Sequence, residues 1–492
     1  MYKHARNWVE DLLGTKEFNR RFMVMPGAQD LRHFKKGVTG VKVWTGRESR
    51  DMMRQFLPII VDAKAPPDFV RLVRNLLDFS YIAHSARLSD VELTKMDEML
   101  QAFHKAKSVL LDRRDKRLGI MKGDEGFDRI AKLHMLGHYT QDIRQFGTPD
   151  GYSTETPEHL HIMYVKIPWR MSNRRNPLPQ MVGYTRRLEA LEIQRAQIEE
   201  CYGKDIEFDI RDVVFEDEAI DSQSEDDEAV DNGDELEDLV QITLAEQNKS
   251  EYVFYPQPRT SIARRPTAPD VPARVIVSSY GASNFIRALH RFLWSKTTQP
   301  DKVPLLLPTD RFPLWHKAVL EHARLPFAPT EPCHRDVVRV QPPVWDAAGR
   351  QLKAGIFDMA LFATNLSSSG VSRFRAGRVR AIFSLPLDLA HLFPEPLAYV
   401  DLFTPLLPDT TSTHKLYAMM LDRNARDPLG LVLPLSSLRL ACHLTPDFSL
   451  RSARVQLRGS STTFGMDHRF LLNEHYNHYT FLVIDHWRRI VP

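Results

Sequence analysis

Apolar residues recur at helical spacing through the first two hundred positions. Phe69, Val70, Val73, Leu76 and Leu77 fall on one face of a 3.6-residue period. Pro66 and Pro67 precede them, where proline fits the first turn of a helix. Ser89 and Glu92 have the spacing of a capping box, and Leu93, Met96, Leu100 and Phe103 follow on one face. A third helix is expected over Phe127 to Arg144, and a fourth from Pro157 with Leu160, Met163, Tyr164 and Ile167 as its stripe. A fifth runs from about Gln180 to Cys201. The early apolar run FLPIIVD (56–62) also reads as helix because RDMMRQ leads into it.

The pattern then changes twice. EDEAIDSQSEDDEAVDNGDELED (216–238) is too acidic to bury a core and reads as disordered. Pro256, Pro258, Pro266, Pro269 and Pro272 continue it as an extended linker. Residues 280–320, with FIRALHRFLW, read as a small helical piece. From about Asp336 the period drops towards two. VVRV, GIFDMALF, RVRAIFSL, LAYVDLFTPL, HKLYAMML, LGLVLPL and YTFLVI are short apolar runs between turn residues. Such spacing fits a compact antiparallel barrel or sandwich. The expected class is α+β. Residues 1–204 form a helical region, 205–272 a disordered acidic and proline-rich linker, 273–330 a small helical segment and 331–492 a β-rich barrel. No internal repeat is visible.

A chain of 492 residues suggests about two to four domains. No apolar run reaches the roughly 18 residues of a membrane helix, and the first thirty residues lack the apolar core of a secretory leader. Cys201, Cys333 and Cys442 lie far apart, which argues against a disulfide framework and for a reducing compartment, cytosol or nucleus. The net charge of +3 hides a strong asymmetry. Asp212 to Asn248 carries 15 acids and no Lys or Arg, so the remainder carries 66 − 48 = +18. A basic body with an acidic insert suits a protein that meets polyanions, although solvated surface accounts for both equally well.

The densest candidate chemistry lies in FGTPDGYSTETPEHLHIMYVKIPWRMSNRRNP, from Phe146 to Pro177. Thr156 is placed to cap a helix starting at Pro157, with Glu158 in the first turn, where the helix dipole favours an acid. His161 shares its face, and Glu155 lies just before it. A divalent metal on such carboxylates would suit phosphoryl transfer, but one or two glutamates do not complete a two-metal site. By spacing alone an acid at a helix N-terminus is the plainer reading. His134 and His138 stand at i, i+4, a spacing that can share a metal, though packing is commoner. NEHYNHY (473–479) offers similar residues in an expected strand or turn. Basic clusters occur at DRRDKR (112–117), WRMSNRRN (169–176), YTRR (184–187) and ARR (263–265). Arg170, Arg174 and Arg175 beside Trp169, with Arg186 and Arg187, would bind backbone phosphate with little sequence reading. The phosphate-loop, dinucleotide, nucleophile-elbow and zinc-protease signatures are absent.

Several segments in order resemble one family. They are RRFMVMPGAQDLRHFKKGVTGVKVWTGRE, LVRNLLDFSYIAHS, KLHMLGHYTQDIRQFGTPDGYSTETPEHLHI and WRMSNRRNPLPQM, followed by RVRAIFSLP, LAYVDLFTPL and LRLACHLTPDF. Together they resemble the carboxy-terminal two thirds of Plavaka-type fungal DDE transposases, related to the Kyakuja–Dileera–Zisupton and CACTA groups. The resemblance implies an RNase-H-like core in which three acids hold Mg²⁺ or Mn²⁺ for strand cleavage and transfer. TETPEHLH matches the helix of the third acid, so Glu158 is its expected equivalent, with Glu155 the alternative and Glu158, His161, His134 and His138 the candidate metal ligands. Strands bearing the first two acids are expected before Met1, and Asp62 is a poor substitute. The carboxy-terminal runs also resemble the strand order of bromo-adjacent-homology barrels, which bind chromatin or other proteins.

These features lead to the expectation of a truncated or domesticated, nuclear, transposase-derived protein that binds double-stranded DNA without completing the catalytic set. The alternatives are a chromatin or protein-interaction adaptor that uses the carboxy-terminal barrel, and a decayed reading frame.

Overall fold

The computed structural model describes residues 2–41, 44–61, 65–111, 130–202, 253–297, 303–346, 348–408, 413–424, 427–449 and 469–490. The chain forms two compact units, Met1–Thr148 with Asn248–Pro492, and Pro149–Gln247. It is a mixed helix-and-sheet protein of the α+β class, and every strand pairing among the described residues is antiparallel. No helix among them is long and apolar enough to cross a membrane.

In the larger unit the expected helices form where the pattern placed them. Pro67–Ala83 buries Phe69, Val70, Val73, Leu76 and Leu77. Asp90–Ala106 begins at a complete capping box: the Glu92 amide donates to Ser89 Oγ, and the Ser89 amide donates to the Glu92 carboxylate at 2.8 Å. Its Leu93, Met96, Leu100 and Phe103 are all buried. FLPII (56–60) is helical, as expected, while Asp62 lies outside the described residues. The third expected helix is broken. Ala131–Leu136 ends at Gly137 and Tyr139–Phe146 starts after His138, while 112–129 lies outside the described residues. Residues 2–202 contribute helices and no strand among those described.

The strands build three main sheets. One has the order Arg259–Ile262, Lys317–His322, His334–Gln341, Ile356–Phe357. A second centres on the long strand Phe374–Phe383, which changes partner along its length. Its first half pairs with Met359–Ala363 and its end with Arg311–Trp315, while its other edge pairs with Leu397–Leu402. Gly377 sits at the crowded point, where a Cβ would meet Phe362 at 2.9 Å and Val400 at 3.0 Å. The third sheet runs Leu407–Pro408, Tyr417–Met420, Arg469–Leu472, Leu444–Pro446. No sheet closes into a barrel among the described residues.

Three expectations are corrected. Residues 259–262 and 268–272, read as proline-rich linker, are strands paired with Lys317–His322 and Arg311–Trp315. Pro256, Pro258 and Pro266 flank these strands, and Pro269 and Pro272 lie in an edge strand, at its register shift and at its end, where a missing N–H is tolerated. Second, YTFLVI, read as strand, lies in the helix His478–Ile490. Its clustered aromatic and branched residues imitate a strand run, but the Asn477 side chain accepts the Thr480 amide at 2.7 Å and starts a helix instead. Third, the carboxy-terminal sheets do not stand apart from the amino-terminal helices. One core contains Phe69, Leu76, Phe103, Phe470, Leu472 and Trp487 together. A second core lies between the sheet around Phe374–Phe383 and the helices Ala273–Ser278 and Phe285–Lys296. The acidic stretch 216–238 lies outside the described residues.

The two chain ends of the larger unit meet in a buried ionic set. Arg74 Nε pairs with Asp78 at 3.0 Å, and both Arg74 and Arg488 pair with Glu474. His475 Nε2 contacts the other Asp78 oxygen at 2.8 Å, and Tyr81 donates to the His475 carbonyl. Arg488 also donates to the Lys415 carbonyl at 2.7 Å. Burial pushes the Asp78 and Glu474 carboxyls up, but the guanidiniums and His475 outweigh it and hold both below the ordinary range. Two carboxylates thus balance two guanidiniums.

Removal of one partner leaves a buried charge uncompensated. Glu474→Gln or Arg74→Met is expected to cost about 3–5 kcal/mol in chemical denaturation. Because both folded carboxyls titrate below their unfolded values, their stabilisation is fully present above about pH 5 and is lost as pH falls through the acid range. A urea midpoint that falls on acidification below about pH 4 in the wild type, and less steeply in Glu474→Gln, checks the sign.

Candidate nucleic-acid interface

The smaller unit, described over 149–202, is wholly helical. Its first helix, Glu155–His161, begins two residues earlier than expected. Thr154 occupies the cap position without a side-chain hydrogen bond, so Thr156 is inside the helix and does not cap it. A π turn follows over Ile162–Lys166, where the Ile167 amide bonds to the Ile162 carbonyl. Pro168 supplies the reason: it lacks an N–H and crowds the preceding turn, and the wider turn relieves the clash. The helix continues over Ile167–Met171, and the long helix Pro177–Tyr202 follows.

The expected stripe of Leu160, Met163 and Tyr164 is helical but exposed. Pro168 is the one buried residue of this unit among those described. Exposed side chains also include Trp169 and Met171. The unit therefore has the periodicity of a buried helix pair without the burial.

Between the two helices, residues 172–176 form a tightly bonded turn. Asn173 Oδ1 accepts the Arg175 amide at 2.9 Å and Gln180 Nε2 at 2.8 Å. Gln180 Nε2 also donates to the Arg175 carbonyl at 2.8 Å, and Gln180 Oε1 accepts the Asn173 amide at 3.1 Å. Arg174 has φ 60° and Asn176 φ 48°. Asparagine adopts this left-handed region readily and arginine does not, so the Gln180 bonds hold a turn that a free arginine would leave.

All five sequence candidates for phosphate contact are exposed in this unit. Arg170 lies on Ile167–Met171, Arg174 and Arg175 on the turn, and Arg186 and Arg187 on Pro177–Tyr202. None of the five forms an ion pair with an acid among the described residues. In the larger unit Arg74, Arg339, Arg375, Arg380 and Arg488 are paired with carboxylates, while its exposed Arg264, Arg265, Arg287 and Arg291 form no ion pair among the described residues either. Guanidinium groups on an exposed helical surface, with Trp169 and Tyr164 beside them in sequence, suit phosphate forks and ring stacking.

The candidate metal ligands divide between the units. Glu158 and His161 are exposed on Glu155–His161, and Glu155 begins that helix. His134 and His138 belong to the larger unit, exposed, with their Nε2 atoms 3.1 Å apart and no acid among the described residues completing a set. Among the described residues, the group of three or more metal-capable side chains close enough to share an ion is Asp78, Glu474 and His475. Its two carboxylates are already neutralised by Arg74 and Arg488, so a dication would add bare charge to a dry core. That set is structural. Sequence reasoning noticed Glu474 and His475 in NEHYNHY but not Asp78, which is 397 positions from His475. Nor did it find the Gln180 clamp, whose only trace is an Asn and a Gln seven positions apart.

A second buried polar set joins Asp336 to His322 at 3.1 Å and to His334 at 2.8 Å, with the Ala441 amide donating to the same carboxylate at 2.9 Å. Burial pushes this carboxyl up, and the bonds from His322 and His334 outweigh it to hold it well below its usual value. Tyr479 stacks on His334 with ring centres 4.7 Å apart. The cluster ties three strands, Lys317–His322, His334–Gln341 and Leu438–Cys442, to the last helix.

No family model, curated protein or solved structure matches the chain.

A two-imidazole pair offers only two ligands. The double variant His134→Ala/His138→Ala is therefore expected to melt within about 0.5 kcal/mol of wild type, and micromolar zinc is expected to leave the wild-type melting temperature unchanged. A zinc-dependent rise that disappears in the double variant would make the pair a metal site.

Proposed function

We propose that this chain is a nuclear DNA-binding protein of transposase descent. It holds double-stranded DNA through the sugar-phosphate backbone and reads little sequence. The observation that carries this reading is the set Arg170, Arg174, Arg175, Arg186 and Arg187, exposed on one helical unit and in no ion pair among the described residues. The ordered motifs that resemble Plavaka-type transposases support the descent, and the +18 balance outside the acidic run supports a polyanionic partner. On this reading the helices before residue 203 are the helical part of an RNase-H-like core, and Glu158 is its third acid. The carboxy-terminal sheets then derive from a barrel of the chromatin-binding kind. Mg²⁺ or Mn²⁺ at Glu158 would act only with further acids, and Glu158 has no such set beside it among the described residues.

Duplex binding across a salt series, with Mg²⁺ or Mn²⁺ and a nicking readout, tests the reading. Log affinity should fall linearly with log salt, with a slope of about −0.9 for each phosphate contact. Conversion of the five arginines to glutamine should flatten the slope by about four. Equal slopes for wild type and variant would overturn the arginine surface. No affinity at any salt would favour a protein-interaction adaptor. Nicking that Glu158→Gln abolishes would show that further acids reach the site.

A further inference from the structure

Val271 to Pro300 contains Arg274, Arg287, Arg291 and Lys296 and no acid. The helices Ala273–Ser278 and Phe285–Lys296 of the larger unit lie in this stretch. Phe285–Lys296 buries Phe285, Ala288, Leu289, Phe292 and Leu293 in the second core. Arg287, His290, Arg291 and Trp294 follow one another on its other side at spacings of three and four residues, so they form one patch. Arg287, Arg291 and Trp294 are exposed and His290 is half-buried. Neither arginine forms an ion pair among the described residues.

The patch borders a groove of about 430 Å³, within the roughly 300–1,000 Å³ of small-ligand sites. Val277, Ile286, Leu305 and Leu306 give it an apolar wall, Arg287 and His290 line it too, and no carboxylate does. The groove is held from behind. The Asn284 amide donates to the Tyr399 hydroxyl at 3.2 Å, and Asn284 Nδ2 donates to the Pro428 carbonyl at 3.0 Å. Phe285 meets Phe312 and Phe383 edge-on, with ring centres 5.3 Å and 5.0 Å apart. Side chains carried on a helix that is anchored in this way are set before a ligand arrives.

We infer that the groove takes a nucleotide with an unpaired base. The base lies against the apolar wall, Arg287 and His290 donate to its phosphate, and Trp294 stacks a neighbouring base. Each part of the ligand answers a feature of the site. Cations without a carboxylate among them favour an anion. Four aliphatic side chains favour an apolar body beside that anion. An exposed indole among arginines offers a ring face on which any base stacks. A base inside a duplex is paired and stacked already, so the groove excludes it until it is taken out of the helix. This site is separate from the arginines of the helical unit and does not depend on their reading.

The test uses the full chain with Arg170, Arg174, Arg175, Arg186 and Arg187 changed to glutamine, so that only the groove is compared. The probe is a fluorescent single-stranded oligothymidylate, with thymidine monophosphate, inorganic phosphate and a glutamate-rich peptide as competitors. The oligonucleotide should bind. Trp294→Ala should weaken it about tenfold and Trp294→Phe only about twofold. Leu305→Asp, at a position 79% exposed, should weaken it by about tenfold or more without lowering the melting temperature. Thymidine monophosphate should compete, and inorganic phosphate about tenfold less well. Tighter binding of the oligonucleotide than of the monophosphate, lost in Trp294→Ala, assigns the groove to a strand; equal binding of the two, lost in Leu305→Asp, assigns it to a free nucleotide. Absence of binding, equal affinity in all the variants, or competition by phosphate or peptide that matches the monophosphate would overturn the inference. Duplex affinity of the otherwise wild-type chain should be unchanged by Trp294→Ala, which keeps this outcome apart from that of the helical unit.

Discussion

The larger unit depends on Glu474. Its buried carboxylate is held by Arg74, from the amino-terminal helices, and by Arg488, from the last helix. Asp78 and His475 extend the same set across 397 positions. Such a group contributes little net energy when complete, because desolvation consumes most of the attraction. Its force lies in what it forbids. Any arrangement that separates the first helices from the last helix strands four charges in an apolar core of Phe69, Leu76, Phe103 and Trp487. The neighbouring contacts follow the same seam. Lys95 meets Asp485 at 2.6 Å, Tyr476 donates to the Gln29 carbonyl at 2.7 Å, and Asn473 donates to the Arg54 carbonyl at 2.7 Å. The chain begins and ends in one core, and the sheets are built between.

The helical unit obeys a different economy of charge. Most of its apolar residues are exposed, Arg170, Arg174, Arg175, Arg186 and Arg187 form no ion pair among the described residues, and its best-formed feature is a turn that fixes Arg174 and Arg175. A segment that packs no core is not organised by burial. Its order comes from helix propensity, a proline-relieving π turn and the Gln180 clamp. What it presents is a surface of cations and rings, the composition that single strands and duplex backbones attract. The larger unit buries an ionic set, and the helical unit exposes Arg170, Arg174, Arg175, Arg186 and Arg187, which form no ion pair among the described residues.

Features set by residues a few positions apart are legible in the sequence, and those assembled from distant positions are not. The Ser89–Glu92 capping box, the buried face of Pro67–Ala83 and the exposed arginines all follow from residues a few positions apart. The strands after Asp336 follow from short apolar runs between turn residues, and Met359–Ala363, Phe374–Phe383 and Leu397–Leu402 are buried on both faces rather than alternately. Failures occurred where neighbours mislead. Prolines at 266–272 suggested a linker, yet that strand needs only the hydrogen bonds its other residues supply. Branched and aromatic residues at 479–484 suggested a strand, and only the Asn477 cap betrayed the helix. The Asp78–Glu474 set had no local trace at all, because its members are brought together by the fold. Of the residues that the resemblance to transposases suggested, Glu155, Glu158 and His161 lie in the helical unit and His134 and His138 in the larger one.

Hydrogen exchange of the intact chain with and without duplex DNA, at low salt, tests the central claim most directly. If the arginines hold the backbone, DNA slows exchange over residues 167–188, most strongly at the Asn173–Arg175 turn, and 0.5 M salt removes the effect. Protection confined to the carboxy-terminal sheets, with residues 167–188 unchanged, would contradict it.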